Sequence, residues 1–412
     1  MRTMIQDHLK LEQHLKNSLT ETLKFLEQIV SMNSFTLNPE GISANAQRII
    51  EQFVPLGFAT MQRPCNSPGT GSHLILDSGG GAPAIALISH LDTVFSREEE
   101  ELNNFRWKPE GDRIYGPGTV DIKGGTALIW MMLDALKTVN PSLFHSARWI
   151  VLLNAAEEIL TPHFGEVCLD ILPPDTKACL VFEGCRIEEN TIKITKSRKG
   201  TGHFVLNVKG RAAHSGSYYS KGANAIRQIS RVIERIMALT DLTNGATTVN
   251  VGKIEGGTVH NKVPDEAHAV FEVRSFDESQ YRKVHDALLA MNGPGEVKSP
   301  DGTFTCQIEI VKTLECLPWP ENPQTEELVS HWENAAAECG YQIVARSVGG
   351  LSDGNLLWNH FPTLDGLGPM GSNLHCSRQS EDGNEEQEYV NVSSFVPKAL
   401  VNCLAIERII EN

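Results

Sequence analysis

Between residues 19 and 30 the apolar side chains Leu19, Leu23, Leu26, Ile29 and Val30 recur at helical spacing. Residues three and four apart share one face of a helix, so the stretch predicts an amphipathic helix. A second helix is predicted over 44–54. The pattern then changes to short strands over 73–76 and 84–89. The second of these, Ala84-Ile85-Ala86-Leu87-Ile88-Ser89, is nearly all apolar, as a strand covered on both faces must be. A helix over 124–137, a strand over 149–154, a short helical stretch around Val167 and a strand over 179–182 follow. Strands alternating with helices predict an α/β domain whose mostly parallel sheet is flanked by helices.

After Lys196 the period changes. Residues 202–208 alternate apolar and polar, as a strand with one face in solvent does. A helix with Ile226, Ile229, Ile233 and Met237 on one side comes next, then strands over 247–254 and 267–274, a helix over 279–289 and a strand over 304–310. This β-α-β-β-α-β order is a ferredoxin-like α+β unit, complete in itself. The Pro-rich stretch Leu317-Pro318-Trp319-Pro320-Glu321-Asn322-Pro323 follows it, α/β character returns, and a long helix over 395–410 closes the chain. The expected organisation is a large catalytic domain, 1–196 and 314–412, interrupted by a small inserted domain, 197–313. Length agrees, since single cores stop growing at about 250–300 residues and the chain has 412.

Composition narrows the function classes. The formal charge of −15 and the lack of a basic stripe exclude a typical nucleic-acid binder. No run of about 18 apolar residues is present, so no membrane span is expected. Residues 1–16 are polar and charged, without the apolar centre of a secretory signal. The nine cysteines are scattered and form no C-x-x-C pair, which disfavours a thiolate zinc site and fits buried thiols in a reducing compartment. The cytoplasm is the expected location.

The chemistry sits at predicted strand ends. The strand over 84–89 runs into His90-Leu91-Asp92-Thr93-Val94, where His90 and Asp92 point the same way. The carboxyl ends of strands are where open α/β sheets bind ligands, and an acid beside a histidine can set its tautomer for metal ligation. A strand end at the surface is the plain alternative. The loop Gly116-Pro117-Gly118-Thr119-Val120-Asp121 presents an acid just before a helix, where an ordinary N-cap is also possible. No Gly-Lys-Ser/Thr ends it, so it is not a phosphate-binding loop of that kind. The strand over 149–154 leads to Ala155-Ala156-Glu157-Glu158, adjacent carboxylates that fit one ligand and one general base, or simply two solvated acids. Glu183 follows another apolar strand, and His375 follows the Gly-rich stretch 366–371. Oxygen and imidazole donors without thiolate suit zinc, with cobalt or manganese as substitutes. Five such residues exceed the need of one tetrahedral ion and fit two ions sharing a carboxylate, typically about 3.5–4 Å apart.

These motifs, in this order and over nearly the whole chain, resemble the co-catalytic zinc exopeptidases and deacylases: glutamate carboxypeptidase, aminoacylase, acetylornithine deacetylase, succinyl-diaminopimelate desuccinylase and peptidase T. Gly210-Arg211-Ala212-Ala213-His214-Ser215-Gly216, Gly256-Gly257-Thr258-Val259-His260-Asn261-Lys262-Val263-Pro264 and Asp365-Gly366-Leu367-Gly368-Pro369 belong to the resemblance. Ser197-Arg198-Lys199-Gly200 and Ser352-Asp353-Gly354-Asn355 look most like the glutamate carboxypeptidase branch. The resemblance implies two Zn2+ bridged by Asp121, one completed by His90 and Glu183, the other by Glu158 and His375. It implies that Asp92 orients His90, that Glu157 is the general base, and that His214 steadies the oxyanion. Asn261 and Arg274 would hold the substrate, an N-acyl amino acid or small peptide with a free carboxylate. The inserted domain would act as lid and homodimer surface. A deacylase or dipeptidase would use the same ligands, and an inactive binding protein would have lost the base or a ligand. The chain departs from the family pattern at Ala156, at Ile159-Leu160-Thr161-Pro162-His163, at His260 and at Ser377-Arg378-Gln379-Ser380-Glu381.

Overall fold

The computed structural model describes residues 2–411 and divides into two compact units. The larger comprises Met1–Lys196, Glu321–Ser347 and Ser352–Asn412; the smaller comprises Ser197–Pro320 and Val348–Leu351. The stretch 314–320, expected in the large domain, therefore lies in the smaller unit. So does Val348–Leu351.

The larger unit is built on a six-stranded sheet in the order Ala59–Pro64, Ser72–Asp77, Arg148–Asn154, Ala84–His90, Ala178–Val181, Thr363–Leu364. The last four strands are mutually parallel, and the first two form an antiparallel hairpin at one edge. Side chains of a strand alternate between faces, and here the alternation feeds two cores. Ile85, Leu87, Trp149, Val151 and Leu153 enter one with the long helices. Ala86, Ile88, Ile150 and Leu152 enter the other with Phe164, Val167 and Phe361. That is why the central strands read as continuous apolar runs.

The helix Lys123–Val139 is buried on nearly every side, as a helix enclosed by others must be. Gly124 and Gly125 let its first turn approach closely: a Cβ at Gly125 would lie 2.2 Å from the Phe182 carbonyl oxygen. The first helix, Arg2–Val30, is longer than its predicted 19–30. Leu11 and Leu15 are buried and extend the apolar stripe upstream at four-residue spacing, a continuation hidden by the polar residues between them. Among the described residues no helix is long and apolar enough to cross a membrane.

The smaller unit is an antiparallel sheet ordered Thr248–Gly256, Glu266–Ser275, Gly200–Lys209, Thr305–Cys316, Gly293–Lys298. The first four strands have the ferredoxin-like order, and helices Ala225–Met237 and Glu278–Leu289 pack on one face. The edge strand Gly293–Lys298 was not anticipated; Gly293-Pro294-Gly295 obscures its pattern, and proline in a sheet is confined to such edges. Phe204 and Phe271 stack at 5.2 Å in the core, while Val270 faces outward. Because this core is self-contained, Ser197–Pro320 expressed alone is expected to unfold in one cooperative thermal transition. Phe271→Ala should destabilise it by about 3–5 kcal/mol, the cost of truncating a buried aromatic. A fragment without a cooperative transition would show that the unit depends on the rest of the chain.

Candidate metal centre

Four parallel strands end on the same edge of the sheet, and the candidate ligands are delivered there. His90 is the last residue of Ala84–His90 and pairs in register with Asn154, the last residue of Arg148–Asn154. Glu157 and Glu158 follow Asn154, and Glu183 lies two residues beyond Ala178–Val181. Asp121 stands between the strand Arg113–Tyr115 and the helix Lys123–Val139. His375 follows the short strand Gly371–Ser372, which pairs with Tyr389–Asn391, which pairs in turn with Arg113–Tyr115. One small sheet thus links the loops carrying Asp121 and His375.

Two groups result. His90, Asp121 and Glu183 offer atoms within 4.8 Å of one another, as do Asp121, Glu158 and His375. Asp121 belongs to both. Its Oδ1 lies 3.2 Å from His90 Nε2, and its Oδ2 lies 3.1 Å from His375 Nε2. Glu158 Oε2 is 3.2 Å from His375 Nε2, and Glu183 Oε1 is 4.0 Å from His90 Nε2. His90 is fully buried, whereas the His375 side chain is 54% exposed, so the second group faces the open side. His375 adopts a left-handed backbone, φ 63°, which a non-glycine residue holds only where its surroundings impose it.

A buried hydrogen-bond frame fixes the loop 155–158. Asp92 Oδ1 accepts the N–H of Glu157 at 3.1 Å, and Oδ2 accepts that of Glu158 at 3.3 Å and the hydroxyl of Thr36 at 2.8 Å. Asn154 Oδ1 accepts the Ala156 N–H at 3.0 Å, while its Nδ2 donates to Asp353 at 2.8 Å. The Ala155 N–H donates to His73 Nδ1 at 3.1 Å. Four consecutive backbone donors are therefore satisfied by side chains. Glu388 does the same for the neighbouring loop, accepting the N–H groups of Val120 and Asp121 at 3.0 and 3.2 Å. His90 Nδ1 lies 3.0 Å from the Asp92 carbonyl oxygen and 3.4 Å from its carboxylate. Nδ1 must carry the proton to donate there, so whenever the ring is neutral the lone pair is on Nε2, the nitrogen that faces Asp121 and Glu183. His73, Asn154 and Glu388 were not singled out from the sequence. Asp353 appeared there only within a resembling motif.

The donor set suits divalent cations. Asp121, Glu158, Glu183 and Glu157 converge in a largely buried space, and carboxylates this close repel unless a positive charge lies among them. Burial and the Asp121 charge push Glu158 up to about 6, against His375 and His90. Burial holds Glu157 well above the usual carboxylate range; His90 opposes this, and Asp353, Glu183 and Glu158 add to it. Hydrogen bonds to Asp121 and Glu158 raise His375 to about 11. Oxygen and imidazole donors in two groups sharing one carboxylate match a pair of borderline ions such as zinc.

The remaining candidates lie in the smaller unit. His214 is exposed, and its Nδ1 accepts the N–H groups of Gly216 and Ser217, both at 3.1 Å. Its Nε2 therefore carries the proton whenever the ring is neutral. Asn261 is exposed, and its backbone carbonyl accepts the Ser215 N–H at 3.0 Å. Arg274 bonds Glu272 at 3.0 Å and the Gly349 carbonyl at 3.3 Å.

Comparison with known proteins gives four findings of note. Residues 196–292 match the Peptidase dimerisation domain. The chain is 25% identical over 386 residues to carboxypeptidase G2 of Pseudomonas sp. (strain RS-16), covering 92% of this chain and 86% of that one. It is 27% identical over 267 residues to acetylornithine deacetylase of Klebsiella pneumoniae, covering 60% of this chain and 66% of that one. Its fold matches that of the YXEP protein of Bacillus subtilis, described as a dinuclear metal-binding peptidase from the M20 family. The TM-score is 0.68 at 15% identity, over 96% of this chain and 99% of the other.

Asp92→Ala removes an acceptor from two buried N–H groups and a hydroxyl. Leaving a buried donor unsatisfied costs about 1–3 kcal/mol; the main-chain carbonyl that faces His90 Nδ1 stays in place, so any loss of metal comes from loosening of the loop that carries Glu157 and Glu158. Metal content after dialysis and the unfolding midpoint should both fall. Thr36→Ala, which removes only one donor to Asp92, should change either far less. Unaltered metal retention in Asp92→Ala would mean that this frame does not hold the ligand loop.

Proposed function

We propose, from the premise that this chain belongs to the M20 family of metallopeptidases and is a hydrolytic enzyme, that it is a di-zinc carboxypeptidase. It would release a C-terminal amino acid such as glutamate from an N-acyl amino acid or small peptide. The observation that carries this reading is Asp121, with one carboxylate oxygen toward each of two ligand groups. His90 and Glu183 complete one group, Glu158 and His375 the other, and cobalt or manganese could replace zinc. Ions held by these residues would supply Lewis-acid polarisation of the amide carbonyl and lower the pKa of a water to about 7.

The chain's own residues supply the rest. Glu157 is spare in the ligand count, and its backbone is clamped by Asp92. Its raised proton affinity suits a base that takes a proton from water and returns it to the leaving amine nitrogen. His214 Nε2–H is a donor for the carbonyl oxygen as negative charge develops on it. Arg274 is the candidate for the substrate carboxylate: a guanidinium makes two parallel hydrogen bonds to a carboxylate, and the incoming group would compete with Glu272 for it. Asn261 is a further polar contact. The smaller unit would serve as lid and as the surface of a homodimer, and all nine cysteines are free thiols, in keeping with the cytoplasm. A deacylase is the second reading, favoured by the similarity to acetylornithine deacetylase.

Glu157→Gln should keep two metal equivalents while kcat falls by about 10²–10⁴-fold, the range for a lost general base. Loss of metal instead would make Glu157 a ligand and reopen the role of Glu158. A release assay over N-acyl amino acids, dipeptides and their C-terminal amides tests the substrate. Free acids should be cleaved well and amides poorly, with Arg274→Lys lowering kcat/KM for the acids alone. Equal turnover of acids and amides would remove the carboxylate requirement and favour a broader amidase.

A further inference from the structure

A third group of metal-ligating side chains lies in the larger unit, apart from the ligands above. Cys65 follows the edge strand Ala59–Pro64, His73 is the second residue of Ser72–Asp77, and His163 is the second residue of the helix Pro162–Ile171. Their Sγ and ring nitrogen atoms fall within 4.8 Å of one another. His73 Nε2 and His163 Nδ1 are 3.3 Å apart. A tetrahedral ion about 2.0–2.1 Å from each nitrogen requires a separation of about 3.3–3.4 Å, so the pair already has the spacing of two ligands. His73 is fully buried, while Cys65 and His163 are half-buried and partly reachable from solvent. His163 sits in the stretch where the chain departs from the family pattern.

The protons at this cluster connect it to the loop 155–158. Burial, against Asp92 and Asn154, lowers His73 to about 4, so the ring is neutral near pH 7. Its Nδ1 accepts the Ala155 N–H; the single ring proton is therefore on Nε2, donated to His163 Nδ1. We propose that Cys65, His73 and His163 form a separate site for a borderline-soft divalent cation such as zinc, and that filling it slows hydrolysis. The site itself stands on this geometry; its effect on rate rests on the roles assigned above to Glu157 and Glu158. Ligation through Nε2 requires that nitrogen to lose its proton. A neutral His73 then carries a proton on Nδ1, facing the Ala155 N–H, and two donors oppose each other. The Cys65 thiol releases its proton to solvent, so one proton is released per ion bound. The Ala155 N–H loses its acceptor at the head of the loop that presents Glu157 and Glu158.

Cobalt(II) titration of the full-length protein tests the site. The proposed catalytic ligands include no sulfur, so thiolate-to-cobalt charge-transfer absorption reports on this cluster. Wild type should bind a third equivalent with that band. Cys65→Ser and His163→Ala should lose both the band and the third equivalent while retaining the other two. Cys376→Ser, which removes the thiol beside His375, should keep them. No sulfur band in wild type, or a band that persists in Cys65→Ser, overturns the site. For the coupling, the third zinc equivalent should speed amide hydrogen exchange in residues 154–160. It should also lower kcat/KM by roughly tenfold, the order set by one buried donor left unsatisfied; Cys65→Ser should show neither change. Equal inhibition and exchange in Cys65→Ser overturn the coupling. A wild type that turns over no substrate even at two equivalents defeats the hydrolase reading instead, and the cobalt band and exchange rates still decide this proposal.

Discussion

The Asp92 carboxylate is the contact on which the rest of the centre depends. It is fully buried and ionic groups in such a place are stable only when hydrogen bonds replace water. Asp92 meets that demand with the N–H groups of Glu157 and Glu158 and the hydroxyl of Thr36. The same bonds that keep its charge in place fix the backbone of the two glutamates. Two glutamates adjacent in the chain diverge by the direction of their side chains, so their separation is set by the backbone between them. Asp92 holds that backbone, and its own main-chain carbonyl meets His90. One residue thus ties the strand end at His90 to the strand end beyond Asn154.

The parallel sheet makes this arrangement possible. Neighbouring parallel strands end on one edge and need no side-chain contact to bring their ends together. His90 and Asn154 are paired in register, and Val181 pairs with Ile88, two residues before His90. The metal-ligand candidates after those strands are therefore neighbours as a consequence of backbone pairing. Asp121 and His375 come from outside that sheet, and a second, smaller sheet brings their loops together through Tyr389–Asn391. Glu388, the residue before that strand, bonds the Asp121 backbone. Each of the two ligand groups thus combines a strand end of the large sheet with a loop held by the small one.

This division accounts for what could be read from the sequence. Strand ends were legible because buried strands are apolar runs and the polar residue that ends such a run stands out; His90, Glu157, Glu158 and Glu183 are of this kind. The two helices and four main strands of the smaller unit were legible from the switch to alternation after Lys196. The supporting frame was not. Asn154 reaches Asp353 across 199 positions, and Glu388 reaches Val120 across 268, and no local period records such a pairing. The edge strands Ala59–Pro64 and Gly293–Lys298 also escaped notice, because edges with Pro and exposed positions carry little of the pattern that marks a buried strand.

Histidine shows most sharply where residue identity stops being informative. An imidazole is a ligand or a donor according to which nitrogen holds its proton, and a hydrogen bond to the other nitrogen decides that. At His90 a backbone carbonyl faces Nδ1, so Nδ1 is the donor and, in the neutral ring, Nε2 has the lone pair. At His214 two backbone N–H groups face Nδ1, so Nε2 becomes the donor. At His73 one backbone N–H does the same in a buried setting. The sequence has the same residue at all three places. The chain direction of the neighbouring peptide, carbonyl or amide toward the ring, leaves the Nε2 lone pair of a neutral His90 free and puts the proton on Nε2 of neutral His214 and His73, where it must move before that nitrogen can bind an ion. That direction is a property of the fold, and the function of each histidine follows from it.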